Sequence, residues 1–224
     1  MQVIVVGSGK LATELLNSHK LDSSYEVKPW FDKERIDVKS VVVHAGSGRE
    51  LARVADFCQI TASPLIELST GSEIGEKSHS FPVVLCSNAN ILMLKFMCML
   101  EMSGHLFRDC QISLVESHQG TKTSVPGTAV EIAQSIGFPT NGIRSVRDPD
   151  VQRNELQIPD GQLARHAYHR ITIEDGECSL HLESRVYGSS PYADGVSRII
   201  ETINRRNLEN RLYSTMELVR NGWL

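Results

Sequence analysis

Gln2-Val3-Ile4-Val5-Val6-Gly7-Ser8-Gly9-Lys10-Leu11-Ala12 opens the chain with an apolar run, a glycine turn and the start of a helical pattern. The unbroken Val/Ile run reads as a strand buried on both faces, as in a parallel sheet. Leu11, Leu15 and Leu16 then fall on one side of a helix beginning near Lys10. The turn between them has the form Gly-x-Gly-x-x-Ala. Its first glycine permits a tight turn, its second lets a pyrophosphate approach the backbone, and the small Ala12 lets the helix pack on the strand. Glycine turns are common after strands, so context decides. This one follows the first strand, opens a helix, and is followed by Asp32, 20 residues beyond Ala12, at the end of a second strand-like stretch, Tyr25 to Trp30. An acid there hydrogen-bonds the adenosine ribose and disfavours a 2′-phosphate, a penalty that Lys33 beside it partly offsets. The expected cofactor is NADH or NADPH, held by Gly7, Ser8, Gly9, Lys10, Leu11 and Asp32.

The pattern continues with strands at Ser40 to His44, Pro64 to Leu68 and Phe81 to Leu85, and with a helix at Arg49 to Cys58. Alternating strands and helices imply a doubly wound parallel sheet, here of five strands. Only about ten residues separate the second and third strands, so the crossover helix there is expected to be shortened or absent. Ligands bind such sheets at the carboxyl ends of the strands. Ser69-Thr70-Gly71 and Asn88 lie at two of those ends and serve either a cofactor or ordinary turn chemistry. Met93, Met97, Met99 and Met102 on the next helix read as core or subunit-interface packing rather than as a metal or redox site.

A second stretch, Glu116 to Ala129 (ESHQGTKTSVPGTA), follows an alternating run from Cys110 to Val115 and leads into a helix at Thr128 to Ile136. It supplies a proton donor in His118, a cation in Lys122, and a helix N-terminus whose free N–H groups suit a carboxylate. Glu116, His118, Lys122, Pro126, Gly127, Thr128 and Ala129 resemble the signature Glu-x-His-His-x-x-Lys-x-Asp-x-Pro-Ser-Gly-Thr-Ala of the dihydrodipicolinate (4-hydroxy-tetrahydrodipicolinate) reductases. Gln119 stands for the second His, Ser124 for the Asp, and the Ser before Gly127 is missing. The resemblance implies catalysis by His118 and Lys122, with Gln119, Gly127 and Thr128 contacting a small cyclic dicarboxylate. It also implies that Ser69-Thr70-Gly71 and Asn88 border the nicotinamide, although Leu68, Asn90 and Leu92 depart from the family there.

The second half is richer in strands. Ala167 to Ile173 and Glu177 to Val186 alternate around Asp175-Gly176, read as a hairpin turn, and a helix is expected at Tyr192 to Ile203. His169, Arg185, Tyr192-Ala193-x-Gly195 and a closing helix at Tyr213-Ser214-Thr215-Met216 extend the resemblance. It fails at Ser189, where the family usually has Arg, and at Asp148 to Gln162, a polar insertion expected to be a mobile loop. The fold expected is an N-terminal Rossmann-type domain, residues 1–90 completed by 206–224, plus a C-terminal α+β domain, 91–205, with a mixed or antiparallel sheet. The family resemblance further implies a homo-oligomer, a tetramer, built through that second sheet.

Net charge of −4 with 22% charged residues and no basic run argues against nucleic acid as a partner. The apolar stretch Ile91 to Met102 is too short to span a bilayer and is broken by Lys95 and Glu101, so no membrane is expected. Cys58, Cys86, Cys98, Cys110 and Cys178 are scattered without a Cys-x-x-Cys pair, which suits reduced thiols in a cytoplasmic setting, and a strand directly after Met1 leaves no room for a leader. No metal-ligand spacing is present. His44, His79, His105, His166 and His181 read as surface or satisfied residues, and Glu116 as either a loop-orienting or a chemical group. Two other readings remain open: a related oxidoreductase with a shifted substrate, and a non-catalytic dinucleotide-binding sensor.

Overall fold

The computed structural model describes residues 1–22, 25–30, 38–69, 71–76, 78–123, 126–188 and 192–224. Asp32, Lys33, Thr70, Ser124 and Ser189 therefore lie outside the described residues, as does most of the connection from the second to the third strand.

Along the chain run β1 (Gln2–Val6), α1 (Lys10–Leu16), α2 (His19–Asp22), β2 (Glu26–Pro29), β3 (Val41–His44), α3 (Leu51–Thr61), β4 (Leu65–Glu67), β5 (Val83–Leu85) and α4 (Ile91–Ser103). Then follow β6 (Gln111–His118), α5 (Gly127–Ser135), β7 (Arg144–Val146), α6 (Pro149–Asn154), β8 (Ala167–Asp175) and β9 (Cys178–Val186). The chain closes with α7 (Ala193–Arg205), β10 (Leu212–Ser214) and α8 (Thr215–Arg220).

The chain divides into two compact units, Met1–Leu94 with Tyr192–Leu224, and Lys95–Pro191. The first unit is a six-stranded parallel sheet in the order β10-β5-β4-β3-β1-β2. Successive strand residues point to opposite faces, and both faces are covered. Val3, Val5, Val41, Val43, Ile66 and Val84 pack with Leu15, Val196, Ile199 and Ile200 on one side. Val6, Val42, Leu65 and Val83 pack with Val54, Cys58 and Phe81 on the other. Five strands were expected from the first half; the sixth comes from the tail. Tyr213 lies in that strand, and the closing helix starts only after it because Ser214 caps it: its Oγ accepts the Glu217 N–H at 3.0 Å. Residues 192–205 also belong to this unit rather than to the second domain, since Val196, Ile199, Ile200 and Ile203 of α7 are buried in its core.

The second unit is a mixed sheet, β7-β6-β8-β9, with β6–β7 parallel and the other pairs antiparallel. β6 runs past Val115 to His118, because β8 pairs with it along its whole length. The hairpin turn is centred one residue later than expected. Asp175 still pairs with Cys178, and Gly176 takes the first central position with φ +58, where glycine suits a type II′ turn. The largest correction concerns 148–162, expected as a mobile loop. Asp148 caps α6 by accepting the N–H groups of Asp150 and Val151, with Pro149 in the first turn. Leu156 and Ile158 are buried against Val115, Val146 and Tyr168. The segment is polar by count, yet Leu156 and Ile158 point inward.

Candidate active site

In the first unit the glycine turn has the geometry a dinucleotide needs. Gly7 has φ +125, and a Cβ there would lie 2.6 Å from the Ala45 carbonyl oxygen, so glycine is required where this turn meets the β3 loop. A Cβ on Gly9 would meet nothing within 4 Å, which leaves the backbone open to a close ligand. Ala12, on α1, is fully buried. Leu11, Ser69 and Gly71 line one cavity of about 920 Å³ together with Ala45 to Arg49. Ser8 and Lys10 are exposed. Asn88 performs turn chemistry: its Oδ1 accepts the Asn90 N–H at 2.9 Å, while Asn90 Oδ1 accepts the Met93 N–H at the start of α4.

Behind the cavity lies a pair the sequence reading passed over. His44 Nδ1 sits 2.8 and 2.9 Å from the two carboxylate oxygens of Glu67, and both side chains are fully buried. Glu67 also accepts the Ser69 N–H at 2.7 Å and the Ser72 hydroxyl at 3.1 Å, which organises the loop after β4. A signal was present: a charged residue ending the buried run Leu65-Ile66-Glu67 requires a partner.

In the second unit the candidate acid is built from one strand. Glu116 and His118, two residues apart on β6, share a face, and His118 Nδ1 lies 2.8 Å from Glu116 Oε2. Arg147 donates to Glu116 Oε1 at 2.6 Å. Burial alone would raise the Glu116 pKa, but hydrogen bonds from His118, Arg147 and Ser145 and the Arg147 charge hold it down at about 2. An ionised carboxylate therefore faces Nδ1, which fixes the ring's orientation and leaves Nε2 for another group. Past the strand, the Lys122 N–H donates to the Gln119 carbonyl at 2.9 Å, closing a turn. The Lys122 side chain is half-buried, and α5 opens at Gly127 after Pro126 with no side-chain cap on its first N–H groups. One connection thus carries Gln119, Lys122, Gly127 and Thr128.

A further histidine stands beside this group. The His169 ring lies edge-on to His118 with centroids 5.8 Å apart, and its Nδ1 is 3.2 Å from Ser184 Oγ. It sits directly opposite Glu116 across the β6–β8 ladder, a neighbour only the strand register reveals. Burial, helped by the nearby His118 charge and opposed by Glu116, drives the His169 pKa down to about 4. The unfolded chain binds the His169 proton first, from pH 6.5 downward, so this stability is complete above 6.5 and lost as the pH falls towards 4. The loss reaches roughly 3 kcal/mol by the linkage relation. Glu116 adds a second loss below about pH 4.5, complete near 2. Urea midpoints should therefore fall between pH 6.5 and 4, and His169→Phe should flatten that limb; a parent midpoint constant over this range would show that His169 is not held neutral.

No family model matches the chain. Among curated proteins it is 29% identical over 134 residues to probable 4-hydroxy-tetrahydrodipicolinate reductase 1, chloroplastic, of Oryza sativa subsp. japonica, covering 55% of this chain and 39% of that protein. It is 27% identical over 134 residues to 4-hydroxy-tetrahydrodipicolinate reductase 2, chloroplastic, of Arabidopsis thaliana, covering 55% of this chain and 38% of the other. The match thus spans about two fifths of the length of these plant relatives. Among solved structures, the dipicolinate-bound dihydrodipicolinate reductase from Paenisporosarcina sp. TG-14 superposes with a TM-score of 0.66 at 18% identity, covering 97% of this chain and 98% of that one. An engineered D-amino acid dehydrogenase bound to NADP+ superposes with a TM-score of 0.50 at 9% identity, covering 97% and 93%. The chain is thus similar in sequence, over about half its length, to 4-hydroxy-tetrahydrodipicolinate reductases, and similar in fold to a dihydrodipicolinate reductase.

Proposed function

We propose that the protein is an NAD(P)H-dependent reductase that converts dihydrodipicolinate (4-hydroxy-tetrahydrodipicolinate) to tetrahydrodipicolinate in lysine and diaminopimelate biosynthesis. The observation that carries this reading is the Glu116–His118 pair at the end of β6, one short connection from Lys122 and the uncapped start of α5. Reduction of a conjugated C=C–C=N system needs a proton for the carbanion-like carbon it creates. His118, oriented through Nδ1 by Glu116, is suited to deliver that proton from Nε2. Lys122 and the Gly127 and Thr128 N–H groups suit a carboxylate, and charge-assisted bonds to a dianion are the strong kind. The cofactor would lie against Gly7 to Leu11, Ser69 and Gly71, with Asp32 at the ribose, and would supply the hydride when bound. Open space over Gly9 and the enforced glycine at Gly7 fit such a group. By the same reading the protein works as a homo-oligomer, a tetramer, which light scattering reads directly against a 25-kDa monomer.

The test is to add freshly generated dihydrodipicolinate and follow NADH and NADPH absorbance. Oxidation of both nucleotides is expected, with NADH bound at least as well as NADPH because Asp32 opposes the 2′-phosphate. NADPH tighter by tenfold or more, about 1.4 kcal/mol, would remove Asp32 from the ribose site. Gln119 in place of the family's second His favours a shifted substrate as the second reading. It gains if the nucleotides bind but dihydrodipicolinate is not turned over while another unsaturated dicarboxylate is.

A further inference from the structure

We propose that Arg147 and Gln152 act as positioning residues that clamp the backbone of the acid connection, so that the 148–162 segment, which the family resemblance does not cover, is part of the site. The inference rests on reading His118 and Lys122 as the catalytic pair.

The carbonyl oxygens of both these residues are taken by side chains of one short segment. Gln152 Nε2 donates to the His118 oxygen at 2.8 Å, and Arg147 Nε donates to the Lys122 oxygen at 2.8 Å. The same groups hold the neighbours as well. Gln152 Nε2 lies 3.0 Å from Ser117 Oγ, and the Arg147 guanidinium holds Glu116. Gln152 is 1% exposed, so water does not replace it.

The directions of these bonds are forced. The Gln162 carbonyl, 3.0 Å from His166 Nδ1, only accepts, so that nitrogen carries the proton. Burial, the largest influence on His166, lowers its pKa and so favours the neutral ring. His166 Nε2 is then an acceptor, and the Ser117 hydroxyl, 2.9 Å away, donates to it. The Ser117 lone pairs are left to accept from Gln152. A side chain at 152 must therefore be a donor, facing Ser117 Oγ and the His118 and Val146 carbonyls, which is the work of an amide NH2.

The need for a clamp follows from where the ladder stops. His118↔Ala167 is the last pair of β6 with β8, so the chain from His118 to Lys122 leaves the sheet. Its geometry passes to side chains, and reacting groups misplaced by about 1 Å cost on the order of a hundredfold.

Gln152→Glu tests this with little change of shape. Glutamic acid donates only while protonated, and burial raises its pKa above the ordinary carboxylate range. Turnover of dihydrodipicolinate by the variant, relative to the parent at each pH, should fall at least tenfold as the new carboxyl ionises. The His118 imidazole carbon-bound proton signals should shift with the same midpoint, and NADH affinity should stay within twofold. Relative turnover and His118 signals that both ignore this ionisation overturn the clamp. If the parent itself shows no turnover, the reductase reading fails, and the His118 signals alone decide the clamp. Should Gln152→Glu not fold, Arg147→Lys, which keeps a charge for Glu116 but loses the second donor, should lower turnover at least tenfold at unchanged NADH affinity. Parent-like turnover in that variant likewise overturns the proposal.

Discussion

His118→Gln and Lys122→Ala should each lower the turnover of dihydrodipicolinate by roughly a hundredfold or more, the usual scale for a positioned proton donor. Glutamine keeps a polar group beside Glu116 but carries no transferable proton. Alanine removes a cation for which no side-chain partner is found among the described residues, so little of its loss should be structural. The double variant should lose less than the product of the two effects, because both groups act on one transition state. NADH affinity should barely change, since the cofactor residues belong to the other unit. Gln119→His is the companion measurement: activity preserved or raised supports dihydrodipicolinate as substrate, and activity abolished points to a different one. If neither single variant slows reduction by more than a few-fold, the assignment of the acid pair is wrong.

Gly195→Ala should be among the most destabilising single changes in the first unit. A Cβ at Gly195 would overlap the Ala89 carbonyl oxygen, a backbone atom that cannot swing aside. Ala193, Val196, Ile199 and Ile200 of the same helix are fully buried in the unit's core, so α7 cannot lift away without opening it. The expected cost is on the order of 3 kcal/mol or more, at the upper end of overpacking effects. Urea unfolding followed by fluorescence reads it, and NADH affinity should fall with it at moderate urea. A midpoint within the error of the parent would mean that helix and loop are not packed this closely.

Much of this was readable from residues alone. The Val/Ile run of β1 can be satisfied only by burial on both faces, and its glycine turn can serve only where a side chain is excluded. Glu116, His118, Lys122 and Gly127-Thr128 are close in sequence, so their order places them in one connection without knowledge of the fold. Other residues were passed over although a signal existed. His44 and Glu67 each end an apolar strand, and two such ends imply a buried pair. The polar count of 148–162 misled because it hides the spacing of Leu156 and Ile158.

The sequence by itself determined the sheet-and-helix alternation, the glycine turn and the makeup of the acid connection, because local spacing and side-chain type are enough to specify them. Only the tertiary structure decided that His169 faces Glu116, that Arg147 and Gln152 hold the Lys122 and His118 carbonyls, that α7 packs in the first unit, and that the expected C-terminal completion includes a sixth strand. Those partners lie between 25 and 53 residues apart for the acid site, and their meeting depends on strand register. Register follows from how two whole strands bury their apolar faces together, which no short stretch of either strand encodes.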